Sequence, residues 1–551
     1  MRPHLAIGVS DFPSLRRKGQ PYVDKTSAVA DLIEARRPAT VFCRPRRFGK
    51  SLLLSTLRAF LERGPADLSS TFEGLAIWDR PAARAHFQRH PVIHISLKDV
   101  KGATWAQASQ QVALAVKAEC ERLAWLHDGL EALGRSGFQN LVSAAPDMEG
   151  VQRALIDLSV WLHRLTGEEV VILVDEVDAP IHLGQSRGYY REVLDFLRSF
   201  LGGGLKDNPV VMLGVVTGVL RVSREGLFSS FNNAAIYSIL DEAYASAFGF
   251  LEYEVEQLRL QVDSPLSLAE LRHWYNGYRI GGLEVYNPWS VLCALDRQKL
   301  DAWWVDSGSH EALGRLLLKG GEPVQRDLRR WMLGDEVPGF IEDTVLLAHE
   351  RPSDIVALLV HGGYLTPVSV EPRASGGWQA LLRVPNQDVA ESLLAASRRW
   401  LMEMELDSPT LRDIGAGLLG GDARFGDALG RLLRGAASFH DFPFADAERG
   451  YHTFLLGLLV SLEPRHQLRS NAESGYGRAD LLVLPRQAGQ VGAVIELKRV
   501  ASADEAEAAL DTAAAQLGLR AYDQALIDRG ATPIRRWAVV FCGKLVWTRL
   551  M

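Results

Sequence analysis

Two groups of residues in this sequence have the types and spacing to do chemistry. The first is Arg44-Pro45-Arg46-Arg47-Phe48-Gly49-Lys50-Ser51, which follows the apolar run Ala39 to Cys43 and precedes an amphipathic stretch, Leu52 to Leu61. Gly-Lys-Ser between a strand and a helix is the back half of a P-loop. The glycine lets backbone approach a phosphate, and the lysine reaches the β- and γ-phosphates. The serine can hold Mg²⁺, and the helix N-terminus offers unsatisfied N–H groups to the anion. Arg46, Arg47 and Phe48 would complete the loop around the nucleotide. The full pattern, G-x-x-x-x-G-K-[ST], has a glycine where this chain has Arg44, so the triplet alone could also be an ordinary helix start. A partner motif strengthens it. Val170-Val171-Ile172-Leu173-Val174-Asp175-Glu176 is an apolar run ending in two acids, as expected of a central parallel strand covered on both faces. Asp175 sits where α/β sheets bind ligands and would hold Mg²⁺, directly or through water. Glu176 would orient or deprotonate an attacking water. A third apolar run, Pro209 to Gly218, ends near Thr217, a candidate sensor of the γ-phosphate, although threonine also suits a strand for its shape alone. Arg221 and Arg224 follow as candidate arginine fingers. Together these residues point to ATP and Mg²⁺ as cofactors.

The second group is Asp480, Glu496 and Lys498. Gly475 to Leu484 and Val491 to Lys498 read as the two strands of a β-hairpin, with Asp480 opening the first. Glu496 and Lys498 lie two apart on the second strand and project from one face. Two carboxylates about 4 Å apart repel by roughly 4 kcal/mol at an effective dielectric near 20, a cost that a divalent cation between them removes. Bound Mg²⁺ would polarise a phosphate and lower the pKa of a water, and Lys498 would stabilise the developing charge or position the nucleophile. The reaction is metal-assisted hydrolysis of a phosphodiester. D…E-x-K arises often by chance and can be a surface salt bridge. Here the residues sit on otherwise apolar strands with a helix following, Asp504 to Tyr522. Arg478, Arg499 and Arg520 could form a local phosphate-binding patch.

The elements that must position these groups alternate. Strands at 39–43, 90–97, 169–175 and 209–218 are separated by helices expected near 105–126 and 151–165, so a parallel sheet with helices on both faces is predicted. A helix begins near Thr26, with Thr26 as its expected N-cap. From Phe248 to Met404 the pattern is mostly helical and rich in aromatics: Trp274, Tyr275, Tyr278, Tyr286, Trp289, Trp303 and Trp304. Core packing explains these better than base stacking. His361 to Thr366 and Leu382 to Asn386 read as pieces of a small winged-helix-like region, a lid that transmits the nucleotide state. Leu406 to Phe444 reads as a helical connector, interrupted by Gly415, Gly417, Gly420 and Gly421, with a hinge. A helix from Ala445 to Leu462 and a final strand at 537–541 complete the chain. The expected domains are 1–250, 251–404, 405–444 and 445–551.

At 551 residues there is room for several cores. A formal net charge of -6 means that any nucleic-acid site must be a local basic patch on an acidic body. Cys43, Cys120, Cys293 and Cys542 make no C-x-x-C pair, which argues for reduced thiols of a cytoplasmic protein and against a zinc site. No apolar segment is long enough for a membrane span, and no signal peptide is expected.

Several short blocks add a resemblance that covers nearly the whole chain. They are Ile7-Gly8-Val9-Ser10-Asp11-Phe12, Tyr22-Val23-Asp24-Lys25-Thr26, the 44–51 loop, Val174-Asp175-Glu176-Val177-Asp178-Ala179-Pro180-Ile181, Trp274-Tyr275-Asn276-Gly277-Tyr278 and Tyr286-Asn287-Pro288-Trp289-Ser290. In this order they resemble the bacterial AAA-ATPase-like proteins with a C-terminal PD-(D/E)XK nuclease-like domain. The resemblance implies an α/β P-loop NTPase sheet, a helical and winged-helix-like middle and an α/β restriction-endonuclease-like C-terminal domain. It also implies that Arg44 is usual at its position. Glu448 would be a further metal ligand, Gln516 a support of the site, and Tyr522 a packing residue. Asp24 and Lys25 would lie beside the nucleotide, more as surface salt-bridge partners than as ligands. The expected activity is ATP hydrolysis coupled to cleavage of nucleic acid, with DNA favoured. The alternative is a nucleotide-controlled switch or scaffold that binds nucleic acid or a protein without cutting. A homo-oligomer is possible, since ATPases of this type often complete their sites with a neighbour's arginine.

Overall fold

The computed structural model describes residues 4–219, 233–304, 327, 330–331, 334–342, 352–374, 376–393, 408–435, 455, 458–459, 462, 465–474, 477–519 and 523–551. Glu448, Arg221, Arg224, Arg520 and Tyr522 lie outside them, as do most of the helix expected at 445–462 and Asn232. The chain divides into two compact units, residues 1–308 with 330–392, and 309–329 with 393–551.

The first unit is built on a five-stranded parallel sheet. Its strands are β1 (Thr40–Cys43), β2 (Val92–Ser96), β3 (Val170–Asp175), β4 (Val211–Gly218) and β5 (Ala235–Tyr237), in the order β2-β3-β4-β1-β5. β1, β3 and β4 are buried along their whole length, which is why their sequences are continuous apolar runs instead of alternating ones. Helices Lys50–Leu61, Trp105–Arg122, Met148–Thr166 and Tyr190–Leu205 connect and cover the strands. β4 lies between β1 and β3, so the loop after β1 and the acids after β3 flank its C-terminal end. The helix at Thr26–Ala35 starts with Thr26 as its first residue, Lys25 being the cap. The Thr26 hydroxyl is engaged elsewhere, donating to Asp24 at 2.6 Å and accepting the Ile77 N–H.

The middle region contains more strand than its sequence suggested. A short hairpin, β6 (Tyr278–Ile280) and β7 (Leu283–Val285), precedes a three-stranded sheet of β8 (Val337–Ile341), β9 (Thr366–Pro372) and β10 (Trp378–Arg383), ordered β8-β10-β9. Tyr275, Tyr286 and Trp304 are fully buried, so these aromatics serve the core.

The second unit has a mixed sheet of β11 (His466–Ser474), β12 (Gly477–Pro485), β13 (Gly492–Arg499), β14 (Ile534–Cys542) and β15 (Leu545–Leu550), in chain order across the sheet. β12 and β13 are antiparallel, as the hairpin reading required, while β13 and β14 run parallel, joined through helix Ala506–Leu519. β14 is not the last strand: β15 pairs antiparallel with it. The segment expected as a hinged connector forms helices Ser408–Gly420 and Arg424–Gly435. Their Ile414, Leu418, Phe425 and Leu429 join Leu481, Val483, Ile495 and Trp537 in one core. Gly417 marks the close approach of the two helices, since a Cβ there would stand 2.3 Å from the Phe425 nitrogen. Gly417 thus serves the packing of this helix pair. None of the four cysteines forms a disulfide, and no helix among the described residues is long and apolar enough to cross a membrane.

Candidate active sites

The nucleotide-type site forms where β1, β4 and β3 end. Gly49 takes φ +87°, open to glycine at no cost, and caps the helix that begins with Lys50. Arg47 is also left-handed, at φ +67°. The loop therefore turns at Arg47 and Gly49, and Arg44 keeps a position that needs no glycine. Arg44 is fully buried, its backbone N–H donating to Gly218 O at 3.1 Å. Its guanidinium runs under the sheet edge, donating to Tyr237 O at 2.8 Å and lying 5.1 Å from the centre of the Phe248 ring. Burial pulls its pKa down to about 10.

Lys50 is buried, and its Nζ donates to the carbonyls of Arg44 and Pro45 at 3.0 and 2.9 Å. Burial lowers its pKa, and the carboxylates of Asp178, Glu176 and Asp175 oppose that by favouring the ammonium. Ser51 follows at the second position of the helix, half-buried. Thr217 Oγ1 donates to Asp175 Oδ1 across the sheet. Glu176 turns with φ +52°, and its N–H reaches the same threonine oxygen at 3.3 Å. Burial, then the neighbouring Asp175 charge, raises the Glu176 carboxyl, the direction a general base requires.

Asp178 is a site residue that residue types alone did not single out. It is buried, accepts the Val219 N–H at 2.9 Å and lies 3.4 Å from His182 Nε2. Burial works against its charge, yet His182, the Val219 N–H and Lys50 together hold its carboxyl down to about 2. The signal was its place as the third acid in Asp175-Glu176-Val177-Asp178.

The remaining loop residues point to the middle region. Phe48 is buried edge-on against Tyr278, with ring centres 5.0 Å apart. The Arg47 guanidinium lies 4.3 Å from the centre of the Trp289 ring and donates to Trp303 O at 2.9 Å, while Arg46 is exposed. Lys25 is a salt-bridge partner, as expected, and is half-buried: it pairs with the buried Glu254 at 2.7 Å.

In the second unit, Leu481 pairs with Ile495, so Asp480 and Glu496, one residue further out, stand opposite each other on one face. Asp480 lies inside β12, three residues beyond its start, and its Oδ2 accepts the Leu497 N–H at 2.7 Å. Glu496 is 3% exposed, and Lys498 Nζ donates to it at 3.0 Å. The apolar neighbours on this face, Leu482, Val494, Ala538 and Val540, pack with Leu510, Ala513 and Leu517 of helix Ala506–Leu519. Gln516 rides on that helix, its side-chain oxygen buried and, among the described residues, without a hydrogen-bond partner. Arg499 is exposed at the end of β13, one residue past Lys498 and so on the opposite side of the strand from Glu496 and Lys498.

Both donor sets consist of oxygens, which suits a hard divalent cation. Ser51 and Asp175 would hold it in the first site, Asp480 and Glu496 in the second. Among the described residues no three His, Cys, Asp or Glu side chains gather to hold an ion by themselves.

Comparison with known proteins finds a family for each part of the chain. A family described as predicted AAA-ATPase matches residues 6–228, and the PD-(D/E)XK nuclease superfamily matches residues 446–549. An uncharacterized protein in the vnfD 5' region of Azotobacter chroococcum mcd 1 is 32% identical over 399 residues, covering 71% of this chain and 69% of that protein. A solved signal-transduction ATPase with numerous domains and a tetratricopeptide-repeat sensor, from Pyrococcus horikoshii, aligns at 13% identity with a TM-score of 0.22. That alignment spans 84% of this chain and 59% of the other, too loosely to carry an argument. The two family matches fall on the two sites built above, and the chain belongs to the AAA-ATPase-like family that carries a C-terminal PD-(D/E)XK nuclease-superfamily domain.

Proposed function

We propose that this protein binds and hydrolyses ATP with Mg²⁺ and couples that cycle to metal-dependent hydrolysis of phosphodiester bonds in nucleic acid, DNA before RNA. The observation that carries the cleavage reading is the opposed pair Asp480 and Glu496 on one sheet face, with Lys498 3.0 Å from Glu496. A bound divalent cation would supply charge neutralisation and a more acidic water there. Lys498 steadies charge on the scissile phosphate, Gln516 supports the face from the covering helix, and Arg499 contributes to a local patch for the backbone. Glu448 is proposed as a further ligand by family resemblance.

In the ATPase unit, residues 46–51 wrap the nucleotide phosphates and Lys50 takes the β- and γ-phosphates. Asp175 and Ser51 hold the cation, Glu176 orients water, and Thr217 senses the γ-phosphate. The domain divisions expected from sequence remain part of this reading, with residues 251–404 as the lid. A second reading, a nucleotide-controlled switch that does not cut, is favoured by one observation. Arg47 and Phe48 anchor the loop to the middle region, a route by which nucleotide state could reach a partner. A homo-oligomer whose neighbour supplies an arginine belongs to either reading. The test is phosphate release from ATP by purified protein and by Lys50→Ala. Loss of at least about 100-fold in the variant is expected for removal of a charge-stabilising group. Unchanged turnover would overturn the site assignment.

A further inference from the structure

One hydroxyl beside the nucleotide-type site has no role in the reading above. The sheet register aligns Phe42 with Thr217 on β1 and β4, and Ser96 with Asp175 on β2 and β3. The Thr217–Asp175 hydrogen bond joins these pairs into a single rung across the sheet. Facing residues of parallel neighbours project to the same side, with strands about 4.8 Å apart. Asp175 is therefore flanked by two hydroxyl residues, Thr217 on one side and Ser96 on the other. Thr217 is already bonded to it. The Ser96 oxygen is shielded from solvent and, among the described residues, has no hydrogen-bond partner. A shielded hydroxyl left unmatched carries a desolvation cost, which a functional partner would remove.

Ser96 also lines a cavity of about 380 Å³, together with His94, Asp99, Gln111 and Glu119. The lining is mixed, with Val100, Leu114, Ala115 and Ala118 beside these polar groups, and the space is wide enough for several waters. Burial pushes the His94 imidazole down to about 4, so near neutral pH it is an uncharged neighbour that does not compete with a cation for Asp175. Glu119 is committed to Arg122 and to the His94 backbone N–H. Ser96 is thus the hydroxyl between this cavity and the acidic strand end.

We propose that Ser96 is a positioning residue for Asp175: opposite Thr217, and through a water drawn from the adjoining cavity, it holds the carboxylate in its cation-receiving orientation. The inference rests on the ATP reading of this site. Groups that orient a ligating carboxylate typically change metal affinity or activity by about 10- to 100-fold when removed.

The test compares wild type, Ser96→Ala and Ser96→Thr for binding of a fluorescent ATP analogue, with and without Mg²⁺, and for ATP turnover. The expected result has three parts. Metal-free affinity is equal in all three proteins, and the gain in affinity on adding Mg²⁺ falls about tenfold in Ser96→Ala, with kcat falling alongside. Ser96→Thr, which keeps the hydroxyl, restores the gain. Equal Mg²⁺ gains in wild type and Ser96→Ala would overturn the inference while leaving the ATP reading standing. An equal loss of affinity with and without Mg²⁺ would also overturn it, by showing a structural role. Wild type that binds no nucleotide would overturn the ATP reading and the inference with it.

Discussion

At the scale of the residue, Arg44 shows how a motif can lose a glycine and keep its shape. The turn is made three and five residues later, at Arg47 and Gly49, so the first position is released from conformational duty. Arg44 uses that freedom to tie the end of β1 to β5 and to fill space against Phe248. Putting the glycine back should therefore harm the protein. Arg44→Gly is expected to destabilise the first unit by roughly 2–4 kcal/mol, through a cavity and the exposed Tyr237 carbonyl. Thermal unfolding followed with and without ATP would check this; a variant as stable as wild type would contradict it. That Arg44 departs from the P-loop pattern was legible in the sequence. Where its side chain goes was not, because the answer depends on β5 and Phe248, some 200 residues away in the chain. That Lys25 forms a salt bridge was legible too, but its partner Glu254, 229 residues distant, was not, for the same reason.

At the scale of the element, strands were easier to read than the pieces that pack on them. β1, β3 and β4 are buried on both faces, and their apolar runs end at the acids and hydroxyls that matter. Glycines usually interrupt helices, so residues 406–444 read as a helical connector with a hinge. Here Gly417 allows contact with Phe425, a property of the facing helix that local sequence does not contain. The middle region clasps the P-loop through Phe48, Arg47 and a buried acid, Asp388. Asp388 accepts from Ser290 at 2.5 Å and from the Trp304 N–H at 3.0 Å. Burial raises its carboxyl to about 6, against the pull of those bonds and of Arg47. An acid whose folded pKa lies above its unfolded one binds more protons when folded, so its ionisation costs stability as pH rises from about 4 through 6. Asp388→Asn removes that cost while keeping an acceptor. Its melting temperature relative to wild type should climb between pH 4 and 7 and then level off. A difference independent of pH would contradict the assignment.

At the scale of the whole molecule, two units carry two sites, and a formal charge of -6 leaves nucleic acid only a local surface to bind. The order of the motifs along the chain was enough to read both units. That Glu496 and Lys498 share a face was legible from alternation within an apolar strand; the register that sets Asp480 opposite Glu496 was not, because it depends on how the two strands pair. Gln516 needed the family resemblance, since a helix residue contributes no spacing to a strand motif. The most direct test of the central claim is cleavage. Purified protein would be incubated with supercoiled plasmid, linear duplex, single-stranded DNA and RNA, with Mg²⁺ or Mn²⁺, with and without ATP, beside a Glu496→Ala control. Metal-dependent cutting that responds to ATP and is lost in the control is the expected result. Intact substrates throughout, from protein that still hydrolyses ATP, would contradict it.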